Sequence, residues 1–459
     1  DDNVLINGQC VFGYFKNLQS EPIKIKLEYP NEWTAGTALE KDSEGFYNAE
    51  NYDKIVDSPI LLGRLSQASE KVNGTEIDVY TYSKSGEISS GELLSSLKDI
   101  LSAEEKFLKG LPVKRYAFLF HFQNLTYGAW EHSYSSEYVF REQPLTEDFQ
   151  KFIRTIVSHE FFHIFTPLNL HSQLVEKFNF ERPVMSKHLW LYEGVTEWAA
   201  NIIELRDSLI SLDEYLQRVK EKLTLNDMFD KSLSLTDLAV NSYKLQGQYV
   251  NIYQRGAVVA GLLDILLLDL SKGRRGLREV LLDLSKKYGS EKSFDENSFF
   301  EEFEKETYPE VGEFFNKYVK GTEKLPVKEY YNKIGIEYNE SAGYDTSDIR
   351  LGVQLGVLDN KIAVFDLSED AVSAGLQKGD IVIMVQGDTL SLQNAQQKFY
   401  AIKNSSKIGD EVSLTVLRKN SQKEIKLKLA ASLIKHQFRI IQNPDTDQLK
   451  LRELWLRNL

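Results

Sequence analysis

The stretch EDFQKFIRTIVSHEFFHIF, residues 147–165, contains two histidines that are four residues apart. Its apolar residues recur with helical spacing, so the sequence predicts a helix over this stretch. On that helix His159 and His163 project from one face, one turn apart, and both can direct a ring nitrogen at a single metal ion. The stretch therefore predicts a metal site carried by a helix.

Glu160 follows the first of these histidines and completes the pattern H-E-x-x-H. It lies about 100° around the helix from His159, which puts its carboxylate beside the metal, where it can take a proton from an attacking water. The pattern predicts Zn²⁺ as the cofactor and Glu160 as the general base of a hydrolase. A chance match on a surface helix is the alternative, and it is uncommon in a chain with only seven histidines.

A catalytic zinc site needs a third protein ligand, and the segment LWLYEGVTEWAANIIEL (189–205) offers one. We expect Glu193, near the start of this helical stretch, to be that ligand. Glu197 lies one turn later on the same face, where it can accept the outer N–H of a metal-binding histidine. Four other histidines lack the spacing of metal ligands, and no functional role is predicted for them: His121, His171, His188 and His436.

Composition limits the classes of partner. The net charge of −13 argues against nucleic acid, because binding to phosphates depends on clustered Lys and Arg. The longest apolar run, GAVVAGLLDILLLDL (256–270), is interrupted by Asp264 and Asp269 and is shorter than the ~20 residues that span a bilayer. We expect a buried helix there and no transmembrane segment. The single Cys10 cannot form an internal disulfide.

At 459 residues the chain is long enough for two or three domains. Short alternating strands predict a β domain over 1–85, helical periodicity predicts a mostly α domain over 86–334, and short strands return in a compact module over 343–435. The residues 335–347 are expected to be a linker, and 436–459 a tail with a terminal helix. The fold class is therefore α+β and multidomain.

Several segments together resemble the glycyl aminopeptidase family, in the order in which they occur in that family. These are YDKIVDSPILLG (52–63), YGAWEH (127–132), HEFFH (159–163), LWLYEGVTEW (189–198), YQRGAVVAGLLD (253–264) and AGLQKGDIVIMVQG (374–387). The family consists of gluzincin zinc metallopeptidases with a thermolysin-like catalytic domain between an N-terminal β domain and a C-terminal PDZ domain. The resemblance covers nearly the whole chain and implies this architecture.

The resemblance also implies roles in substrate binding. The segment 127–132 is similar to a family strand whose glutamate holds the free α-amine of the substrate, which gives Glu131 that role. The strand backbone at Gly128 and Ala129 would align the peptide. Tyr253 resembles a family tyrosine that donates a hydrogen bond to the oxyanion, with Arg255 in place of the usual lysine. From the residues alone, a strand-edge carboxylate and a core tyrosine are the alternatives.

The PDZ resemblance implies that Leu351, Gly352 and Val353 form a loop that binds peptide C-termini; the alternative is a module that only packs against the catalytic domain. One departure concerns 164–170, IFTPLNL, where the family has a Trp-Asn and a basic pair. The resemblance therefore gives only weak support for the family's preference for glycine as the first residue of the substrate.

The function expected from the sequence is zinc-dependent hydrolysis of N-terminal peptide bonds, with peptides bearing a free N-terminus as substrates and a preference for small first residues such as Gly or Ala. A zinc endopeptidase and a catalytically silent peptide-binding protein are the alternatives.

The chain begins with Asp1-Asp2 rather than Met. We expect a processed or truncated start and a periplasmic or secreted location, with a cytoplasmic location as the alternative.

Overall fold

The computed structural model of the chain describes residues 2–124, 127–176, 179, 182–290, 292–358 and 361–458. These residues form two units. Unit 1 contains the chain up to Lys222, Asp230–Ile336 and the residues from Ile441 onward, and unit 2 contains Leu223–Phe229 and Glu337–Ile440.

The N-terminal part of unit 1 consists of short strands and one short helix, together with a 3₁₀ turn at Gly8–Cys10. They are β1 (Asn3–Ile6), β2 (Ile23–Ile25), β3 (Thr34–Gly36), β4 (Glu40–Lys41), β5 (Tyr47–Ala49), α1 (Tyr52–Val56) and β6 (Ile60–Gly63). The strands form two three-stranded sheets, in the orders β1-β6-β3 and β2-β5-β4. Their apolar side chains share a small core that includes Leu39, Ile55 and Ile60. The predicted β-rich start of the chain is confirmed.

A five-stranded sheet and one helix follow. The strands are β7 (Ser66–Val72), β8 (Thr75–Ser83), β9 (Arg115–Gln123), β10 (Gly128–Glu131) and β11 (Ser135–Arg141), and the helix is α2 (Ser90–Leu108). The strand order is β10-β11-β9-β8-β7. The α2 helix connects β8 to β9, which run parallel, as such a crossover allows. The strands at 66–83, which the sequence grouped with the N-terminal strands, therefore pair within the sheet of the following region.

The rest of unit 1 is helical. The helices are α3 (Glu147–Phe162), α4 (Gln173–Glu176), a π-helix (Trp190–Val195), α5 (Thr196–Arg206), α6 (Leu212–Asn226), α7 (Leu235–Val240), a 3₁₀ turn (Gln246–Gln248), α8 (Asn251–Leu270), α9 (Leu277–Lys287), α10 (Phe299–Lys305), α11 (Pro309–Tyr318) and α12 (Val327–Lys333). The end of α6 belongs to unit 2. The mostly α middle region is as predicted.

The α8 helix is apolar nearly all round, and this pattern is typical of a helix buried in a core. Its residues from Arg255 to Leu268 are buried, as the sequence predicted for 256–270. Among the described residues, Gln246–Leu270 is the segment whose length and composition would suffice to cross a membrane, and 83% of its most apolar window is buried inside the protein. Core helices meet the same criterion.

Unit 2 is the predicted β-rich module. Its elements are β12 (Ile336–Arg350), β13 (Val353–Leu358), β14 (Lys361–Leu367), α13 (Glu369–Ser373), β15 (Ile381–Val385), β16 (Asp388–Thr389), α14 (Ala395–Ser405), β17 (Glu411–Arg418), β18 (Ser421–Lys428) and β19 (Ala430–Ile440). The main sheet has the order β13-β14-β15-β17-β18, with β16 paired to β15. The expected linker over 335–347 is instead largely strand, because β12 pairs with the distant β19.

The chain returns to unit 1 and forms α15 (Thr446–Leu456), the terminal helix expected from the sequence. The buried Arg206 guanidinium donates through Nε to the carbonyl of Trp455 at 2.9 Å and through Nη2 to Asp264 Oδ2 at 2.6 Å. Both side chains of this ion pair are fully buried. The Trp455 carbonyl therefore satisfies part of a buried charged group, and this contact ties α15 to the core of unit 1.

Candidate active site

The H-E-x-x-H stretch lies at the end of α3, next to the five-stranded sheet. Thr146 caps the start of this helix by accepting a hydrogen bond from Phe149 N at 3.3 Å, and the helix ends at Phe162, with His163 as its C-cap. The helix is therefore slightly shorter than predicted, but His163 keeps helical dihedral angles. The rings of His159 and His163 lie 5.0 Å apart, on the same face.

Glu193 faces the two histidines. Its Oε2 lies 3.4 Å from His159 Nε2 and 3.7 Å from His163 Nε2. The three candidate ligand atoms all lie within 4.8 Å of one another. Glu193 is carried by the π-helix, a rare form that occurs frequently at functional sites. The structure thus brings together the three residues that the sequence proposed as metal ligands.

Hydrogen bonds to the other ring nitrogens orient both histidines. His159 Nδ1 lies 2.9 Å from Glu197 Oε2, and His163 Nδ1 lies 2.8 Å from the carbonyl oxygen of Thr166. A carboxylate and a carbonyl can only accept, so each Nδ1 carries a proton, and in the neutral ring the lone pair of each Nε2 is available to a metal ion. Both lone pairs belong to the nitrogens nearest Glu193.

Lys222 supports Glu197 from the opposite side. Its ammonium donates to Glu197 Oε1, to which Asn201 Nδ2 also donates at 3.3 Å. Burial acts to raise the pKa of Glu197, but the charge of Lys222 and the hydrogen bond from His159 outweigh it and hold that pKa well below its usual range. Lys222 was not predicted from the sequence, because no local pattern links it to Glu197, which lies 25 positions earlier.

Glu160 lies beside these residues, with its carboxylate within 4.8 Å of a ring nitrogen of His163, and is only 9% exposed. Burial raises the pKa of its carboxyl, His159 opposes the rise, and the charges of Glu131 and Glu193 add to it. A cation held nearby would favour the carboxylate. The donor set of two imidazole nitrogens and one carboxylate oxygen fits Zn²⁺, with Glu160 beside the ligands and not among them.

Glu131 ends the edge strand β10 and lies close to Glu160 and His163. The ligand atoms of Glu131, Glu160 and His163 lie within 4.8 Å of one another. Gly128 and Ala129 lie on the same strand, which pairs on one side with β11 and is the edge of its sheet. The other side of the strand thus offers backbone groups for a further strand to pair with.

A buried contact fixes the end of this strand to the N-terminal part of unit 1. His132 Nδ1 lies 3.0 Å from Asp57 Oδ1, and Ser133 N donates to Asp57 Oδ2 at 3.0 Å. Asp57 is the C-cap of α1 and belongs to the segment 52–63, while His132 ends the segment 127–132. Two segments that are about seventy residues apart in the sequence therefore meet beside Glu131.

Tyr253 projects from the first turn of α8 toward the histidines, and its ring lies 5.5 Å from that of His159. Its hydroxyl is within hydrogen-bonding reach of Glu193. Burial and the charge of Glu193 raise the pKa of Tyr253 well above its ordinary value, so the phenol stays protonated near neutral pH and can donate a hydrogen bond. Arg255 instead points away and donates through Nη2 to the carbonyl of Glu323 at 3.1 Å.

The segment 164–170, where the sequence departs from the family, is mostly buried. Ile164, Phe165 and Leu170 are core residues, and the Thr166 carbonyl is the acceptor that orients His163. The histidines without a predicted role contact other groups: His121 pairs with Asn3, His171 with the Pro167 carbonyl, His188 with the Glu296 carbonyl, and His436 with Tyr338 and Asp227.

In unit 2, Leu351, Gly352 and Val353 lead into β13, the edge strand of the sheet. Gly352 has a φ of +66°, and a side chain at this position would collide with the Ser368 side chain. The amide of Ser368 donates to the Gly352 carbonyl at 2.7 Å. The glycine is therefore needed to turn the chain into β13.

Comparisons with known proteins agree with this architecture. Residues 1–64 match the model of the peptidase M61 N-terminal domain, 152–259 match that of the M61 glycyl aminopeptidase, and 350–429 match that of the PDZ domain. No curated protein matches the sequence significantly.

Among solved structures, an aminopeptidase N family protein from Idiomarina loihiensis superposes with a TM-score of 0.80 at 19% identity, over 98% of this chain and 82% of that one. This likeness establishes the fold of nearly the whole chain. An M1 zinc metallopeptidase from Deinococcus radiodurans matches with a TM-score of 0.46 at 12% identity, over 66% of this chain and 64% of that one.

The fold and the matched domains define the class of protein: the chain is a peptidase, a hydrolase of the metallopeptidase class. Within that class, its N-terminal and catalytic regions are similar to those of the M61 glycyl aminopeptidases, and its C-terminal part matches a PDZ domain.

Proposed function

We propose that this chain is a zinc aminopeptidase that hydrolyses the first peptide bond of substrates with a free N-terminus. The observation that carries the proposal is the position of Glu131, whose carboxylate lies within 4.8 Å of the ligand atoms of Glu160 and His163. A carboxylate at this distance from the general base can pair with a substrate ammonium. This pairing would place the first peptide bond after the free N-terminus at the site of cleavage.

His159, His163 and Glu193 would hold the zinc ion, which supplies Lewis acidity and a lowered pKa for water. Glu160 accepts a proton from the attacking water at its carboxylate and passes it to the leaving amine. The Tyr253 hydroxyl donates to the oxygen of the scissile carbonyl as negative charge develops there. The free side of β10 pairs with the substrate backbone at Gly128 and Ala129.

The test compares peptides that differ only in N-terminal acetylation, with cleavage sites mapped by mass spectrometry. Wild-type protein loaded with zinc should release the first residue of the free peptide and leave the acetylated one intact. Glu160→Gln should abolish turnover, and Glu131→Gln should reduce cleavage of the free peptide by about 10²-fold or more, as for loss of a buried charge pair. Glu147→Gln, an exposed residue at the start of α3, is the matched control.

Equal cleavage of free and acetylated peptides, or cuts inside longer peptides, would instead identify an endopeptidase. Chelation should abolish turnover, and added Zn²⁺ should restore it. Peptides with Gly, Ala, Leu or Phe in first position test the preference for small residues that the family name suggests.

For unit 2 we propose that the loop at Leu351, Gly352 and Val353 binds peptide C-termini while the peptide pairs with β13. The edge position of β13 and the left-handed Gly352 support this role. Binding of peptides with a free or an amidated C-terminus tests it, because only the free carboxylate should bind.

We also propose that the protein is located in the periplasm or is secreted.

A further inference from the structure

An aromatic surface continues from the candidate active site along β10 and α3. Tyr127, which precedes β10, is 60% exposed, and Phe152 of α3 is 41% exposed. Their ring centroids lie 6.1 Å apart, and both rings contact the buried Phe140, at 5.6 Å and 5.8 Å. Two large apolar side chains are thus held side by side against the core while their outer faces remain open.

The surface lies on the face of α3 that carries the histidines. Phe152 and His159 are seven residues apart, which places them on one side of the helix and about 10 Å apart along its axis. Ile156 lies between them on that side and is half-buried. An apolar row therefore leads directly away from the proposed metal ligands.

The residues of β10 and Tyr127 lead away from the proposed metal ligands in the same direction as the residues of α3. Ala129 and Glu131 share one face of β10, and Tyr127 directly precedes this strand. Glu131 lies near Glu160 and His163, toward the end of α3, whereas Tyr127 contacts Phe152, two turns before His159. The charge of Glu160 also acts on the Tyr127 hydroxyl. Glu160 is therefore close enough to interact electrostatically with the side chains at both ends of the segment 127–131.

These positions fix a direction for the substrate. A peptide whose amine pairs with Glu131 passes Glu160 and then extends along the strand toward Tyr127. A peptide rises about 3.3 Å per residue in an extended conformation, so a span of about 10 Å corresponds to roughly three residues. Its residues after the cleaved bond then lie over Tyr127 and Phe152.

We infer that Tyr127 and Phe152 form a subsite for a bulky apolar side chain at the third or fourth residue of the substrate. This inference rests on the proposed function, since Glu131 sets the end from which residues are counted. It adds that the enzyme selects its substrates on the leaving side of the cleaved bond, which favours peptides of four residues or more over dipeptides.

The experiment measures binding and turnover separately. Pentapeptides of alanine with a single Phe or a single Ser at position two, three or four are titrated against Glu160→Gln loaded with zinc, and the wild type is assayed on the same set. Phe at position three or four should bind about tenfold more tightly than Ser, since it removes a large apolar area from water. At position two the two peptides should differ less.

Variants identify the side chains responsible. In the Glu160→Gln background, Tyr127→Ser or Phe152→Ser should each reduce the Phe-to-Ser preference severalfold. Phe15→Ser and Tyr400→Ser remove similarly exposed aromatic residues at other places and should keep the preference. Both target side chains are exposed, so thermal unfolding should show that the variants remain folded.

The inference is overturned if Phe and Ser peptides bind equally at positions three and four, or if the preference is the same at every position. It is also overturned if the preference survives in both variants. Such results would leave the aminopeptidase proposal intact whenever the wild type still releases the first residue. Conversely, release of internal fragments would refute the aminopeptidase proposal, while the binding titration would still measure the subsite.

Discussion

Gly194 and Gly256 contact each other backbone to backbone: a Cβ atom built at either position would lie 2.7 Å from the Cα of the other. The first follows Glu193 in the π-helix, and the second follows Tyr253 by three residues in α8. Because both lack side chains, the two elements approach closely enough to bring Glu193 and Tyr253 within hydrogen-bonding reach of each other.

We therefore expect Gly194→Ala and Gly256→Ala to separate the two helices. Overpacking of a core typically costs about 1–3 kcal/mol, and a clash with backbone cannot be relieved by a rotamer change. Both variants should unfold at lower temperature and lose zinc affinity, as measured by calorimetry and chelator competition. Gly261→Ala in the same helix is the control, because its Cβ would lie 3.5 Å from Trp198, an ordinary contact. Equal behaviour of all three variants would contradict this explanation.

Lys222 should affect metal binding without touching the metal. Its ammonium fixes Glu197, which in turn orients His159. Changes of groups that support metal ligands commonly cost 10–100-fold in metal affinity, so Lys222→Ala should weaken zinc binding by about tenfold. Lys222→Arg should restore most of the affinity because it keeps the charge.

Lys98→Ala serves as the comparison for Lys222, since it removes an equal charge from an exposed pair with Glu70. Zinc affinity is measured on the metal-free proteins by titration. Retained affinity in Lys222→Ala would show that Glu197 holds His159 without help.

Tyr253→Phe tests the hydroxyl near Glu193. Loss of one oxyanion donor costs about 2.7–4 kcal/mol of transition-state stabilisation, so kcat should fall by about 10²–10³-fold with a smaller change in KM. Tyr243→Phe is a suitable control, because it removes the hydroxyl of a tyrosine that is 75% exposed. A similar loss in both variants would mean that the Tyr253 hydroxyl has no specific role in turnover.

The Asp57–His132 contact should make stability depend on pH. Burial acts to lower the pKa of His132, but the hydrogen bond and the charge of Asp57 outweigh it, so this pKa is raised above 6.5. A raised pKa in the folded state means that the stabilisation is complete below about pH 6.5 and is lost as the pH rises through the folded value.

Asp57→Asn should therefore lower the free energy of unfolding by about 1.5–3 kcal/mol at pH 6, as expected for a hydrogen bond to a charged group. The difference from the wild type should shrink at alkaline pH. Urea unfolding at several pH values measures this difference. A difference that stays constant from pH 6 to pH 9 would show that His132 does not gain or lose its proton in this range.

Much of the site was predictable because its signals are local. Helical periodicity placed His159 and His163 on one face, and the i+4 spacing of Glu193 and Glu197 put both carboxylates on one later segment. The π-helix was not predictable, since its hydrogen bonds shift by one residue without a sequence signature. Lys222 and the Asp57–His132 contact were missed because they join residues that are remote in the sequence. The strand at 336–350 was mistaken for a linker for the same reason: its partner, β19, lies about ninety residues further on.

The return of the chain to unit 1 has a consequence for biosynthesis. Ile441 N donates to the Gly335 carbonyl at 3.0 Å, and Trp455 supplies the carbonyl that Arg206 requires. A growing chain therefore emerges from the ribosome with the metal-site helices long before the helix that completes their core. Until residues 441–456 have been translated, the Arg206 guanidinium lacks one of its two partners, so the nascent hydrolase should stay incompletely folded while the PDZ sequence is being made.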